Sequence, residues 1–164
     1  MAEEAASSRK KQVMVAIDER ECSHYALKWT LENLLDRVEA SPPLILFTVQ
    51  SIAFHNYISA ATYGASVVEL KKSVQEHQKK IAFALLERAK EICSNHGVTV
   101  ETVTEVGDPR EVICEAVEKL NVDLLILGSD GRTAIQRAFL GSVSNYCVQN
   151  GKCPVSLRRS HYKG

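Results

Sequence analysis

No stretch of this sequence approaches the roughly 20 apolar residues that a membrane-spanning helix needs. The first residues, Met1 to Lys11, lack the apolar core of a secretory signal. Both absences lead to the expectation of a soluble protein of the cytoplasm, with the nucleus as the alternative. There is no Cys-x-x-Cys pair either. The five cysteines, Cys22, Cys93, Cys114, Cys147 and Cys153, are scattered and odd in number, which excludes a dithiol redox motif and paired zinc knuckles and reads as a set of reduced, buried thiols. No charge of one sign prevails: 20 basic side chains face 20 acidic ones. Without a global field, neither nucleic acid nor an anionic membrane is an expected partner, and any anionic ligand must be held by local geometry. Three catalytic signatures are also missing. Gly-x4-Gly-Lys-Ser/Thr is absent, which excludes a P-loop NTPase. Gly-x-Ser-x-Gly is absent, which argues against an α/β-hydrolase. His24, His55, His77, His96 and His161 have no metal-ligand spacing, so no metal site and no catalytic residue are assigned.

What the chain does contain is periodicity. Its 164 residues suit one domain with its own core. Residues 1–11 read as a disordered lead-in, 12–160 as the domain and 161–164 as a tail. Val13–Ile17, Leu44–Val49 and Leu124–Leu127 are continuous apolar runs, as expected of strands buried on both faces of a parallel sheet. Val98–Glu105 carries threonines and glutamates, and Val155–Arg158 alternates; both suit sheet edges. Helical spacing fills the gaps. Ser23 is placed to cap a helix carrying Leu27, Leu31, Leu34 and Val38. Val67, Leu70, Val74, Ile81, Leu85 and Ile92 form the apolar stripe of a longer helix. Asp108-Pro109-Arg110-Glu111 starts a third, with an acidic cap and proline at the first position. A last helix runs from about Ser142 to Asn150 and ends at Gly151. Strands alternating with helices imply right-handed crossovers. The fold expected is an α/β, Rossmann-like, open doubly wound parallel sheet of five strands in the order 3-2-1-4-5, with helices on both faces.

In that order the first and fourth strands are neighbours whose helices go to opposite faces. The crevice at their C-terminal ends is the switch point, where ligands bind. Ala16-Ile17-Asp18 ends the first strand and Gly128-Ser129-Asp130-Gly131 the fourth. Gly141-Ser142-Val143-Ser144 opens the last helix, whose N-terminus offers unpaired N–H groups to an anion. Gly128 and Gly131 alone would read as a tight turn. Their spacing to Gly141 and Ser142 is more specific.

That spacing, Gly-x2-Gly-x9-Gly-Ser, resembles the ATP-binding signature of the universal stress protein family. Phe139-Leu140-Gly141-Ser142-Val143-Ser144, Cys153-Pro154-Val155, Val106-Gly107-Asp108-Pro109 and Val15-Ala16-Ile17-Asp18 are similar to that family's segments, its plant members most of all. The resemblance implies an adenine nucleotide alpha hydrolase-like fold that binds ATP or AMP, with or without Mg2+. It places Ala16, Ile17 and Asp18 around the adenosine, Val49 against adenine through its backbone, and Gly128 by the ribose. Gly131, Gly141, Ser142, Val143 and Ser144 would hold phosphates. Asp130 departs from the Arg or His common in that slot and would repel a phosphate, with Arg132 and Arg137 to compensate. The implied function is a stress-response signalling or regulatory module with at most slow ATP hydrolysis; a chaperone-like or scaffold dimer that is not gated by nucleotide is the alternative. Ser51 to Ala65, rich in Phe54, Tyr57 and Tyr63, is expected to be a lid over adenine or a protein partner. A homodimer is expected through Val155–Arg158, with Arg158 and Arg159 at its rim, and with a proline at Ser156 obstructing the pairing.

Overall fold

Three apolar runs become the interior of a parallel sheet because only they can be covered on both faces. The computed structural model describes residues 10–35, 42–51, 67–129 and 142–159. The strands are β1 (Val13–Ala16), β2 (Leu44–Ser51), β3 (Val100–Gly107), β4 (Leu124–Ser129) and β5 (Val155–Arg159). The helices are α1 (Glu21–Asn33), α2 (Val67–Asn95), α3 (Pro109–Lys119) and α4 (Ser142–Asn150). The sheet order is β3-β2-β1-β4-β5, every neighbouring pair parallel. The polar β3 and the short β5 are the edges, as their sequences require.

Alternation along each strand splits the core in two. Met14, Ile45, Phe47, Leu125 and Leu127 point to one face, where Val112, Ile113, Ala116 and Val117 of α3 and Cys147 of α4 cover them. Val15, Leu44, Leu46 and Ile126 point to the other, beneath Leu27 and Leu31 of α1 and Leu86 of α2. Each fully buried side chain of this kind contributes about 1.5–3 kcal/mol. The cysteines are free thiols, and burial pushes Cys147 up to about 12 and Cys93 to about 11. Such thiols behave as small apolar side chains.

The helix starts differ in their chemistry. Asp108 caps α3 by accepting the Arg110 N–H at 2.9 Å, with Pro109 at the first position. The hydrogen bonds from Arg110 hold the Asp108 carboxyl below its ordinary pKa. Ser23 is not a cap. Helix α1 begins at Glu21 after Arg20, and no side chain caps it. Ser23 sits inside the first turn, and its Oγ accepts the Asp18 N–H at 2.8 Å. Leu27 and Leu31 are buried and Leu34 is packed at the core's edge; Val38 lies outside the described residues. In α2 the most buried stripe is Ala82, Leu86, Ala89 and Cys93, one position beyond the expected one. Small alanines let the helix close on the sheet, which leaves Ile81, Leu85 and Ile92 at the margin.

At the β5 edge, Arg158 turns back onto its own chain. Its guanidinium stacks 3.3 Å from the Trp29 ring centre on α1, a cation–π contact. No helix among the described residues is long and apolar enough to cross a membrane.

Candidate functional site

Every crossover brings a helix N-terminus back to the C-terminal end of the sheet. A cavity of about 410 Å³ lies there, between the ends of β1, β2 and β4 and the first turns of α3 and α4. That volume falls within the range of small-molecule pockets, about 300–1,000 Å³. Of the residues expected around a ligand, Ala16, Ile17, Asp18, Val49, Gly128, Ser142, Val143 and Ser144 all line it. They come from four elements and the turn after β1, up to 128 positions apart between Ala16 and Ser144, and only the crossover topology unites them. Gly131 and Gly141 lie outside the described residues, as do Asp130, Arg132, Arg137 and the loop from Ile52 to Ala65.

The β1–α1 turn is held from three sides. The Ile17 N–H donates to the Phe47 carbonyl at 2.8 Å. Its carbonyl accepts the buried Thr48 hydroxyl at 2.8 Å. The Asp18 N–H is taken by Ser23. The Asp18 carboxylate is engaged as well: Oδ1 accepts the Arg20 N–H at 2.9 Å, and Oδ2 receives Arg20 Nε and a terminal guanidinium nitrogen, each at 2.8 Å. Asp18 and Arg20 are the charged side chains among the described lining residues, and they neutralise one another. The field that remains comes from the helix N-termini in the wall, which favour an anion, that of α4 among them. Ser142 and Ser144 stand there, the latter buried.

Gly128 carries a requirement that its spacing did not reveal. A Cβ at this position would run into the backbone of Cys22 and Ser23. The first turn of α1 lies directly on β4 because Gly128 has no side chain. The same glycine therefore borders the cavity and lets the Ser23 hydroxyl reach Asp18. Gly107 is constrained similarly: its φ is 156°, and a Cβ would strike Val112 at the start of α3.

Several lining residues escaped the sequence reading, among them Arg20, Thr48, Pro109, Ile113 and Ser129. For Pro109 a signal existed. Asp108-Pro109 opens a helix directly after a strand, and in this topology every such helix start faces the same end of the sheet. Thr48 was hidden within an apolar run.

An open, doubly wound α/β sheet with a cavity at its switch point and a helix N-terminus in the cavity wall is the architecture of a small-ligand-binding protein. Residues 10–158 match the model of the universal stress protein family, and the chain belongs to that family. It is 30% identical over 157 residues to a universal stress protein A-like protein of Arabidopsis thaliana, covering 90% of this chain and 89% of the relative. It is equally 30% identical over 152 residues to a universal stress protein of Staphylococcus haemolyticus named as putative, covering 92% and 85%. Among solved structures, a universal stress protein family protein of Arabidopsis thaliana with AMP bound superposes with a TM-score of 0.67. It is 26% identical, over 93% of each chain.

Proposed function

We propose that this chain binds an adenine nucleotide, AMP or ATP, in the switch-point cavity and acts as a stress-response signalling or regulatory module. The observation that carries this reading is the convergence of Asp18, Val49, Gly128 and the α4 N-terminus on one cavity. The AMP bound to the Arabidopsis thaliana relative supports it. The base lies against the Val49 backbone, with Ile17, Pro109 and Ile113 as apolar walls. The ribose lies by Asp18 and Gly128. The phosphate meets the first turn of α4 at Ser142, Val143 and Ser144, and the glycines Gly131 and Gly141 of the motif complete that subsite. If ATP is the ligand, Mg2+ accompanies its phosphates. The cavity's described side chains offer recognition groups rather than a general base, so we read it as a binding site with at most slow hydrolysis. Titration calorimetry with AMP and ATP tests the reading.

The same proposal includes a homodimer through β5. Among the described residues no strand pairs with its outer edge, and an edge strand can recruit a second copy. The structure redirects the test. The Leu125 N–H bonds the Pro154 carbonyl, and Ile126 pairs with Ser156. Since backbone groups alternate in direction along a strand, Pro154, Ser156 and Arg158 address β4, whereas Val155, Leu157 and Arg159 address the open edge. A proline at Ser156 would break the chain's own sheet instead of the dimer. Leu157→Pro removes an outward donor. Light scattering should show the wild type at twice 18.2 kDa and the Leu157→Pro protein, with its circular dichroism retained, at half the wild-type mass. A wild-type monomer, or an unaltered dimer in the folded variant, contradicts the β5 interface.

A further inference from the structure

The ladder between β1 and β2 stops one rung early, and a side chain stands where the next rung belongs. Paired residues run from Met14↔Ile45 to Ala16↔Phe47 and end there. Ile17 still donates its N–H to the Phe47 carbonyl. In a regular parallel ladder the following bond runs from the residue two beyond the acceptor, here the Val49 N–H, back to the Ile17 carbonyl. Among the described residues that bond is not formed. The Ile17 carbonyl is instead taken at 2.8 Å by Thr48 Oγ1, and Thr48 is 4% exposed. Beyond the end of β1, Val49 and Ser51 of β2 line the cavity.

We propose that Thr48 is a positioning residue: its hydroxyl satisfies the Ile17 carbonyl in place of the Val49 N–H and so reserves the Val49 backbone for the base of the ligand. The inference rests on the reading of the cavity as an adenine-nucleotide site. Its physical content is a competition for one buried carbonyl. Left without the hydroxyl, that carbonyl would need another donor, and the Val49 N–H is the donor that sheet geometry supplies. The strand would then close on itself, and a strand whose N–H is spent internally cannot offer an N–H and a C=O side by side to a heteroaromatic edge. Serine keeps the hydroxyl at this position. Valine keeps the shape and loses it.

Three proteins separate the outcomes: wild type, Thr48→Val and Thr48→Ser. Calorimetry with AMP and with ribose 5-phosphate, which lacks the base, is the first measurement. The Thr48→Val protein should bind AMP about tenfold more weakly, with ribose 5-phosphate affected no more than twofold or so, and Thr48→Ser should restore AMP affinity. Amide hydrogen exchange by NMR is the second and needs no ligand. The Val49 amide should exchange quickly in the unliganded wild type and slowly in Thr48→Val, and AMP should slow it in the wild type. A slow Val49 amide in the unliganded wild type overturns the proposal even if Thr48→Val fails to fold. Equal weakening toward both ligands overturns it too, because that is what a purely structural role would produce. A wild type that binds ribose 5-phosphate but shows no preference for AMP removes the base reading itself, whatever the Val49 exchange.

Discussion

Replacing Gly128 with alanine is expected to cost about 3 kcal/mol of stability, the upper part of the usual range for forcing an extra group into a packed interior. For a chain of this size that lowers the melting temperature by roughly 6–12 °C. The added methyl meets backbone, not the flexible end of a side chain: the carbonyl of Cys22 and the N–H of Ser23. Backbone cannot rotate away, so the first turn of α1 must lift from β4. Lifting it pulls Ser23 Oγ from the Asp18 N–H and loosens the β1–α1 turn at the cavity. AMP binding should therefore weaken along with stability. Thermal melts and calorimetry on the same sample read both effects. A Gly128→Ala protein that melts with the wild type would mean that α1 does not rest on β4 as described.

A second substitution separates binding from stability by moving them in opposite directions. Ser142 is the first residue of α4 and is exposed. Ser142→Asp places a carboxylate at a helix N-terminus, where it favours the helix by about 0.3–1 kcal/mol. The same carboxylate would occupy the place assigned to the nucleotide phosphate. Two like charges about 4 Å apart repel by up to ~4 kcal/mol near a protein surface. AMP affinity should fall at least about tenfold, adenosine affinity should hold, and the melting temperature should stay level or rise. Unchanged AMP affinity in Ser142→Asp would take the phosphate away from α4.

The order of the strands was legible because burial leaves a composition behind. Leu44 to Phe47 can be apolar throughout only if β2 is covered on both faces, and β3, with Glu101, Thr102 and Thr104, only if it is an edge. The cavity was legible for the same reason: a sheet of this order has one switch point, and Asp18, Gly128 and Ser142 each follow or precede a strand or helix end there. The less legible features depend on partners distant in sequence. Thr48 looked like one more β-branched residue of an interior strand, because the carbonyl it serves belongs to Ile17, 31 positions away. Ser23 looked like a helix cap. Its hydroxyl in fact holds the preceding turn, and a serine near a helix start is compatible with both. Which backbone groups of β5 face outward depends on its register with β4, and a one-residue shift reverses the answer. The stripe of α2 moved by one residue because Ala82 and Ala89 are too small to dominate a hydrophobic pattern, yet their smallness lets the helix approach.

Calorimetric titration of the wild-type chain with AMP, repeated with ATP, tests the central claim most directly. Saturable binding of one adenine nucleotide per chain is expected, weakened in both Ser142→Asp and Thr48→Val. Adenosine should retain its contacts in Ser142→Asp and lose them in Thr48→Val. No heat and no change in melting temperature with either nucleotide at saturating concentration would contradict the account and leave the cavity to a ligand of another class.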